Sequence, residues 1–182
     1  MIKSLTFITS NSSKAEQLAM HLKFPVAHQK LDLDEIQSLN LAEIIEHKAK
    51  EAFRQVQTPV LVEDTSLRFL ALGKLPGPLI KWFLTELDND GLCKLLSGYS
   101  SREALAEVNF GFFDGVRLKI FDGQINGSIA NTPRGNRGFG WDPIFIPQGW
   151  DKTWGEMDIE EQKQTSMRRI ALKKLDYFLN NL

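Results

Sequence analysis

Apolar positions along the chain change their spacing several times, and each change predicts an element. Residues 5–9, Leu-Thr-Phe-Ile-Thr, form the short apolar run of a buried strand. Ala15, Leu18, Ala19 and Leu22 then recur at helical spacing, with Ser12 or Ser13 placed to cap that helix. Phe24-Pro25 stops it, and 26–29 predicts a second short strand. After an acidic connection carrying Asp32, Asp34 and Glu35, residues Leu41, Ile44, Ile45, Ala49, Ala52, Phe53 and Val56 make 41–56 the clearest amphipathic helix. Thr58-Pro59 ends it, and Val60-Leu61-Val62 is an apolar strand expected to deliver Glu63-Asp64 at its carboxyl end. Strand, helix and strand in this order predict an α/β layout, in which ligands sit beyond the strands' carboxyl ends.

The middle of the chain is patterned differently. Leu75-Pro76-Gly77-Pro78 is a rigid bend, followed by a short helix over 80–84 and another near 89–97. Residues 104–113 and 116–121 read as paired strands across Asp114-Gly115, a dipeptide suited to a hairpin turn. A second Asp-Gly at 122–123 predicts a further turn or a bulge, and 131–140, rich in Gly, Arg and Pro, predicts a loop. The last stretch, 159–180, is expected to be helical, with Ala171, Leu175, Phe178 and Leu182 on one face. With no repeat and no linker composition, residues 1–182 are expected to form one domain.

Composition narrows the function classes. Hydrophobic residues are 42% and charged residues 25%, enough for a soluble protein with a real core. A formal net charge of −1 provides no basic field for nucleic acid or an anionic membrane, so a phosphate ligand must be held by a few placed cations. The single cysteine, Cys93, rules out an internal disulfide and favours a reducing compartment. The apolar run after Met1 is too short for a signal segment or a membrane span, so a cytoplasmic protein is expected.

Four constellations carry candidate chemistry. Thr9-Ser10-Asn11-Ser12-Ser13-Lys14 lies at a strand-to-helix junction, where free N–H groups and a lysine suit a phosphate. The plain alternative is a capped helix with a solvent-facing lysine, and the glycines of a P-loop are missing. Glu63-Asp64-Thr65, with Glu35, offers the one or two carboxylates that magnesium takes beside phosphate oxygens and water. A carboxylate there can also take a proton from an attacking water, although capping or surface acids would look the same. Lys81 falls in the first turn of the helix after Pro-Gly-Pro, where it opposes the helix dipole unless an anion lies between them. Lastly, Pro133-Arg134-Gly135-Asn136-Arg137-Gly138-Phe139-Gly140-Trp141-Asp142-Pro143 combines close backbone approach, two aromatic faces and an acceptor, as base recognition requires. An ordered turn around a core tryptophan is the alternative.

Other chemistries lack their residues. His21, His28 and His47 are scattered without zinc-site spacing, with His21 and His47 expected on helix surfaces, and no Gly-x-Ser-x-Gly elbow occurs. Cys93 lies in an apolar helical patch and is expected in the core.

Taken together, Thr9-x-Asn11-x-x-Lys14, Val62-Glu63-Asp64-Thr65, Leu72-Gly73-x-Leu75-Pro76-Gly77-Pro78-x-Ile80-Lys81-Trp82-Phe83 and Gly138-Phe139-Gly140-Trp141-Asp142-Pro143 resemble the inosine triphosphate pyrophosphatases, from Ile2 to about Tyr177. Those enzymes remove non-standard purine nucleotides such as ITP, dITP and XTP. The resemblance implies an elongated α/β fold, a long twisted mixed sheet with flanking helices forming two lobes around a central cleft, and usually a homodimer. It implies a nucleoside triphosphate as the small-molecule partner and magnesium as cofactor, with manganese as a substitute. By position, Thr9, Asn11, Lys14, Lys48 and Lys81 would hold phosphates, and Glu35 and Asp64 the metal. Asp64, or the neighbouring acid Glu63, would orient the attacking water. Thr65 would contact the nucleotide, and Phe139, Gly140, Trp141 and Asp142 would form the base and ribose site.

The tail departs from that pattern. The family usually carries a lysine four residues before Ser-His-Arg, whereas this chain reads Gln162-Lys163-Gln164-Thr165-Ser166-Met167-Arg168. Gln162 stands at the lysine position and Met167 at the histidine position, while Arg168, implied by the resemblance to read the purine 6-oxo group, remains. Lys163 is one residue off, a rotation of roughly 100° on a helix. A lost phosphate contact costs about 2 kcal/mol and a base-edge contact about 1–3 kcal/mol. The expectation is a pyrophosphatase with weakened or shifted base preference, or a nucleotide-binding paralogue with little turnover.

Overall fold

A computed structural model describes residues 5–9, 14, 15, 18, 21, 22 and 24–182. Among these, the sheet has seven strands: β1 (Leu5–Ile8), β2 (Val26–Gln29), β3 (Val60–Phe69), β4 (Pro76–Gly77), β5 (Glu103–Phe113), β6 (Leu118–Ile129) and β7 (Phe145–Pro147). Their order is β2-β1-β3-β5-β6-β7, with β4 paired to β3. The sheet is mixed: β1 runs parallel to β2 and β3, and the β3–β4 and β6–β7 pairs are antiparallel. The helices are α1 (Leu41–Val56), α2 (Ile80–Lys94), α3 (Ile159–Gln164) and α4 (Met167–Leu179). This is the mixed α/β class expected from the sequence.

Two compact units emerge. The first comprises Met1–Asp64, Val108–Gly123 and Arg168–Leu182, and the second Thr65–Glu107 and Gln124–Met167. In the first, α1 follows its sequence pattern from end to end. Asn40 caps it by accepting from the Ala42 N–H at 3.0 Å, and Gln57 ends it at φ 55°. Its buried face packs Ile45, Ala49 and Ala52 on Ile8, Val60 and Val62. Lys14, Ala15, Leu18 and His21 are helical, with Leu18 fully buried, while Ser12, Ser13 and Ala19 lie outside the described residues. On α4, Phe178 meets Phe112 and Phe121, each at 5.3 Å between ring centres.

In the second unit, the two helices expected after the Pro-Gly-Pro bend join as α2, which breaks at Asp88, a residue with φ 54°. Cys93 is buried there as expected, and burial pushes its thiol up to about 11. Arg102 ties the unit together by donating to the carbonyls of Cys93, Ile129 and Ala130 at 3.0, 2.7 and 2.7 Å. Trp154 packs on Phe145 at 4.5 Å and on Trp141 at 5.4 Å.

Three expectations are corrected. The strand from Val60 does not stop at Val62: it continues to Phe69 because buried Ser66, Leu67 and Phe69 keep it packed, so Glu63 and Asp64 lie mid-strand. Asp122-Gly123 makes no turn; exposed Asp122 and Gln124 flank buried Gly123, and the strand alternation runs through. The C-terminal helix is two helices, parted at Thr165, whose buried hydroxyl accepts from the Trp154 indole N–H at 2.9 Å. Leu179 rather than Leu182 completes the buried face with Ala171, Leu172 and Leu175. Among the described residues, no helix is long and apolar enough to cross a membrane.

Candidate active site

Consecutive strand residues point to opposite faces, and β3 uses this to separate its two acids. Asp64 shares the face of Val60 and Val62, against which α1 packs. Lys48 projects from α1 beside the buried stripe, and its ammonium lies 2.9 Å from Asp64 Oδ2 and 3.6 Å from Glu35 Oε1. Burial is the largest influence on Lys48 and disfavours its charge, yet the Asp64 and Glu35 carboxylates outweigh it and hold the pKa above the ordinary lysine value. Three residues named as metal or phosphate ligands are thus brought together.

Glu63 faces the other way. Its side chain is 3% exposed, with Oε1 3.1 Å from Lys14 Nζ and Oε2 2.7 Å from Arg168 Nη2. The sequence offers it as the alternative to Asp64 for orienting the water, and here its carboxylate gathers two cations. Thr9 directly follows β1, and its carbonyl accepts from His28 Nε2 at 2.7 Å. Asn11 lies outside the described residues.

The second unit carries the remaining positions. Lys81 sits in the first turn of α2, exposed, with its ammonium 5.6 Å above the Trp82 ring. Residues 131–140 form the expected loop, and Phe139 is 64% exposed while Trp141 is buried against Phe145 and Trp154. The aromatic face on offer is therefore that of Phe139, and Trp141 anchors the loop. Asp142 Oδ2 accepts from the Phe139 N–H at 2.8 Å, which ties the carboxyl to the backbone of the exposed aromatic residue. Burial pushes its pKa up to about 6 against that hydrogen bond. Gly140 is positioned by Asn89, whose amide donates to its carbonyl at 3.0 Å. Thr65 follows Asp64 on β3, half-buried.

The altered tail residues are both engaged internally. Gln162 donates to the Trp154 carbonyl at 2.7 Å, and Met167 is buried. Lys163 pairs with Glu160 at 2.6 Å on the exposed side of α3.

The donor set suits magnesium. Among the described residues no group of three or more His, Cys, Asp or Glu gathers. Two carboxylates around one ammonium match an ion that keeps most of its shell for water and phosphate oxygens. The Lys48 ammonium already marks the place between them as favourable for positive charge.

Sequence reasoning missed the buried group around Glu107 on β5. Glu107 lies 2.6 Å from Arg68 Nε and accepts from Ser66 at 3.1 Å and Gln124 at 3.0 Å. The available signal was Ser66 and Arg68 alternating with Leu67 and Phe69, which places a polar pair on one face of β3.

The model of the Ham1 family matches residues 5–178. The chain belongs to the Ham1 family. Solved structures agree: the Ham1 protein of Staphylococcus aureus is 25% identical, with a TM-score of 0.88 over 98% of this chain and 99% of its own. A HAM1 protein from Coxiella burnetii is 25% identical, with a TM-score of 0.90 over all of both chains. A nucleoside-triphosphatase / dITP/XTP pyrophosphatase from Mycobacterium abscessus is also 25% identical, with a TM-score of 0.79 over 94% of this chain and 98% of its own. Family membership bears out the resemblance drawn from the motifs.

Proposed function

We propose that this Ham1-family chain is a nucleoside triphosphate pyrophosphatase that converts non-standard purine nucleotides, of the ITP, dITP and XTP type, to monophosphate and pyrophosphate. The observation that carries the reading is Lys48 of α1 held between Asp64 of β3 and Glu35 of the segment after β2, one cation between two carboxylates. The Mycobacterium relative, described as a dITP/XTP pyrophosphatase, supports the substrate class.

Lys14, Lys48 and Lys81 would neutralise the triphosphate, with Thr9 and Asn11 supplying further donors. Glu35 and Asp64 would hold magnesium, which, when bound, supplies charge neutralisation on the phosphate oxygens. Asp64 would orient a water toward the α-phosphorus and accept its proton. The new bond joins the water oxygen to the α-phosphorus; the bond to the bridging oxygen breaks, and its electron pair leaves with pyrophosphate. Phe139 would stack on the base, Asp142 would accept from a ring N–H, and Thr65, Gly140, Trp141, Gln162 and Met167 would shape the pocket. The proposal includes a homodimer acting in the cytoplasm.

A second reading is favoured by Gln162, whose amide is committed to the Trp154 carbonyl, and by apolar Met167. With neither a lysine nor a histidine there, base selection weakens, giving slow or altered turnover. The deciding assay is pyrophosphate release from ITP, XTP, dITP, ATP and GTP with magnesium and with EDTA, for wild type and Asp64→Asn. Magnesium-dependent release, greatest for ITP or XTP and lost in the variant, is expected. Nucleotide binding without release from any substrate would replace the enzyme by the binding paralogue.

A further inference from the structure

Arg168 reaches the backbone of Lys14 directly and its ammonium through Glu63. Its Nη2 donates to the Lys14 carbonyl at 3.2 Å and to Glu63 Oε2 at 2.7 Å, and Glu63 Oε1 holds the Lys14 ammonium at 3.1 Å. The guanidinium lies 5.6 Å over the Phe110 ring, and the Arg168, Lys14 and Glu63 side chains are 15%, 20% and 3% exposed. One buried carboxylate thus divides its two oxygens between a lysine and an arginine, while the arginine also grips the lysine's backbone.

We propose that Glu63 and Arg168 are positioning residues for Lys14, acting as one clamp that sets the lysine for the phosphate chain. This rests on the reading of Lys14 as a phosphate ligand. Charge counting supports the pairing. A lone Glu63–Lys14 pair is neutral and, once buried, would have little to offer an anion. Sharing Glu63 with Arg168 leaves the group of three with one net positive charge, in surroundings where water screens it poorly. The planar fork of arginine suits this task, because it can reach a carboxylate and a carbonyl from one rigid plane. The Phe110 ring, 5.6 Å away, adds a cation–π contact to the same guanidinium.

The clamp separates two duties that Arg168 could have. An arginine that only reads the base has no effect on a ligand without one, whereas a positioning arginine affects any ligand that uses Lys14. Inorganic tripolyphosphate is the probe, titrated calorimetrically with magnesium into wild type, Lys14→Met, Glu63→Gln, Arg168→Met and Arg168→Lys. Wild type is expected to bind it, and Lys14→Met, Glu63→Gln and Arg168→Met each to bind it about ten-fold more weakly. The Lys14→Met/Glu63→Gln double variant should be no weaker than Lys14→Met alone, because Glu63 acts through Lys14. Arg168→Lys keeps the charge, protects the fold, and should restore only part of the affinity.

Unchanged tripolyphosphate binding in both Arg168 variants overturns the clamp and leaves Arg168 to the base, as does unchanged binding in Lys14→Met or no binding by wild type. Additive losses in the double variant also overturn it. Pyrophosphate release by wild type is scored separately. If no nucleotide is hydrolysed but the tripolyphosphate pattern holds, the clamp stands and the catalytic reading falls.

Discussion

The Lys48 ammonium stands 2.9 Å from Asp64 Oδ2 and 3.6 Å from Glu35 Oε1, occupying with a protein cation the space between two carboxylates. On the proposed reading of Glu35 and Asp64 as metal ligands, lysine and a divalent ion would compete for the same oxygens before nucleotide arrives. Lys48→Met should bind manganese more tightly than wild type in the absence of nucleotide, since two carboxylates lose their counter-charge. The same change should lower kcat/KM for the best nucleotide by on the order of 100-fold, by removing a donor to the charge that develops on phosphate. Calorimetric manganese titration and pyrophosphate release measure the two effects, and they should move in opposite directions.

Asp142 couples stability to pH in the sense opposite to an ion-paired acid. Its folded pKa is about 6 against an ordinary 3.8, raised first by burial. Folding therefore favours the protonated form, a contribution fully present below about pH 4 and lost as pH rises through about 6. Asp142→Asn removes that slope and keeps an oxygen for the Phe139 N–H. Urea unfolding from pH 4 to 7 should show the variant gaining on wild type, by roughly 2–3 kcal/mol at pH 7. A parallel pair of curves would mean that Asp142 titrates normally.

Much of this was legible in the sequence because it is local. The helix over 41–56 writes its buried stripe in Leu41, Ile44, Ile45, Ala49 and Ala52, and its bounds match. The hairpin at Asp114 was equally plain, since Asp114 Oδ1 accepts from the Val116 and Arg117 N–H groups at 3.1 and 2.7 Å. Pairing across distant segments was not legible. That Glu63 would meet Arg168 depends on where α4 docks, and no spacing around residue 63 encodes it. Nor does Trp141 announce its burial: only the packing of Phe145 and Trp154 decides that Phe139 keeps the open face.

Glu107, 4% exposed, takes Arg68, Ser66 and Gln124 as partners and shows how a buried charge can hold a sheet face. Arg68→Met strands that carboxylate and should cost about 3 kcal/mol. Arg68→Met/Glu107→Leu removes both charges, leaves the Ser66 hydroxyl and the Gln124 amide to repartner, and should recover more than half of the loss. Urea midpoints of the two variants check this; a double variant weaker than the single one would show that the pair stabilises the fold on balance.

Two glycines bracket Phe139, and they differ in what surrounds them. Both have positive φ, +75° at Gly138 and +62° at Gly140, so alanine at either costs about 1–2 kcal/mol of backbone strain. A Cβ at Gly140 would meet only Leu84 Cδ2, at 3.8 Å, whereas one at Gly138 would come within 2.0 Å of Asp142 Oδ2. Gly138→Ala must therefore displace the carboxyl that accepts from the Phe139 N–H, and with it the acceptor proposed for the base. Both variants should lose thermal stability, Gly138→Ala more. Only Gly138→Ala should raise KM for ITP while leaving tripolyphosphate inhibition unchanged, because the phosphate residues of the first unit are untouched. Equal KM values in the two variants would remove Asp142 from base recognition.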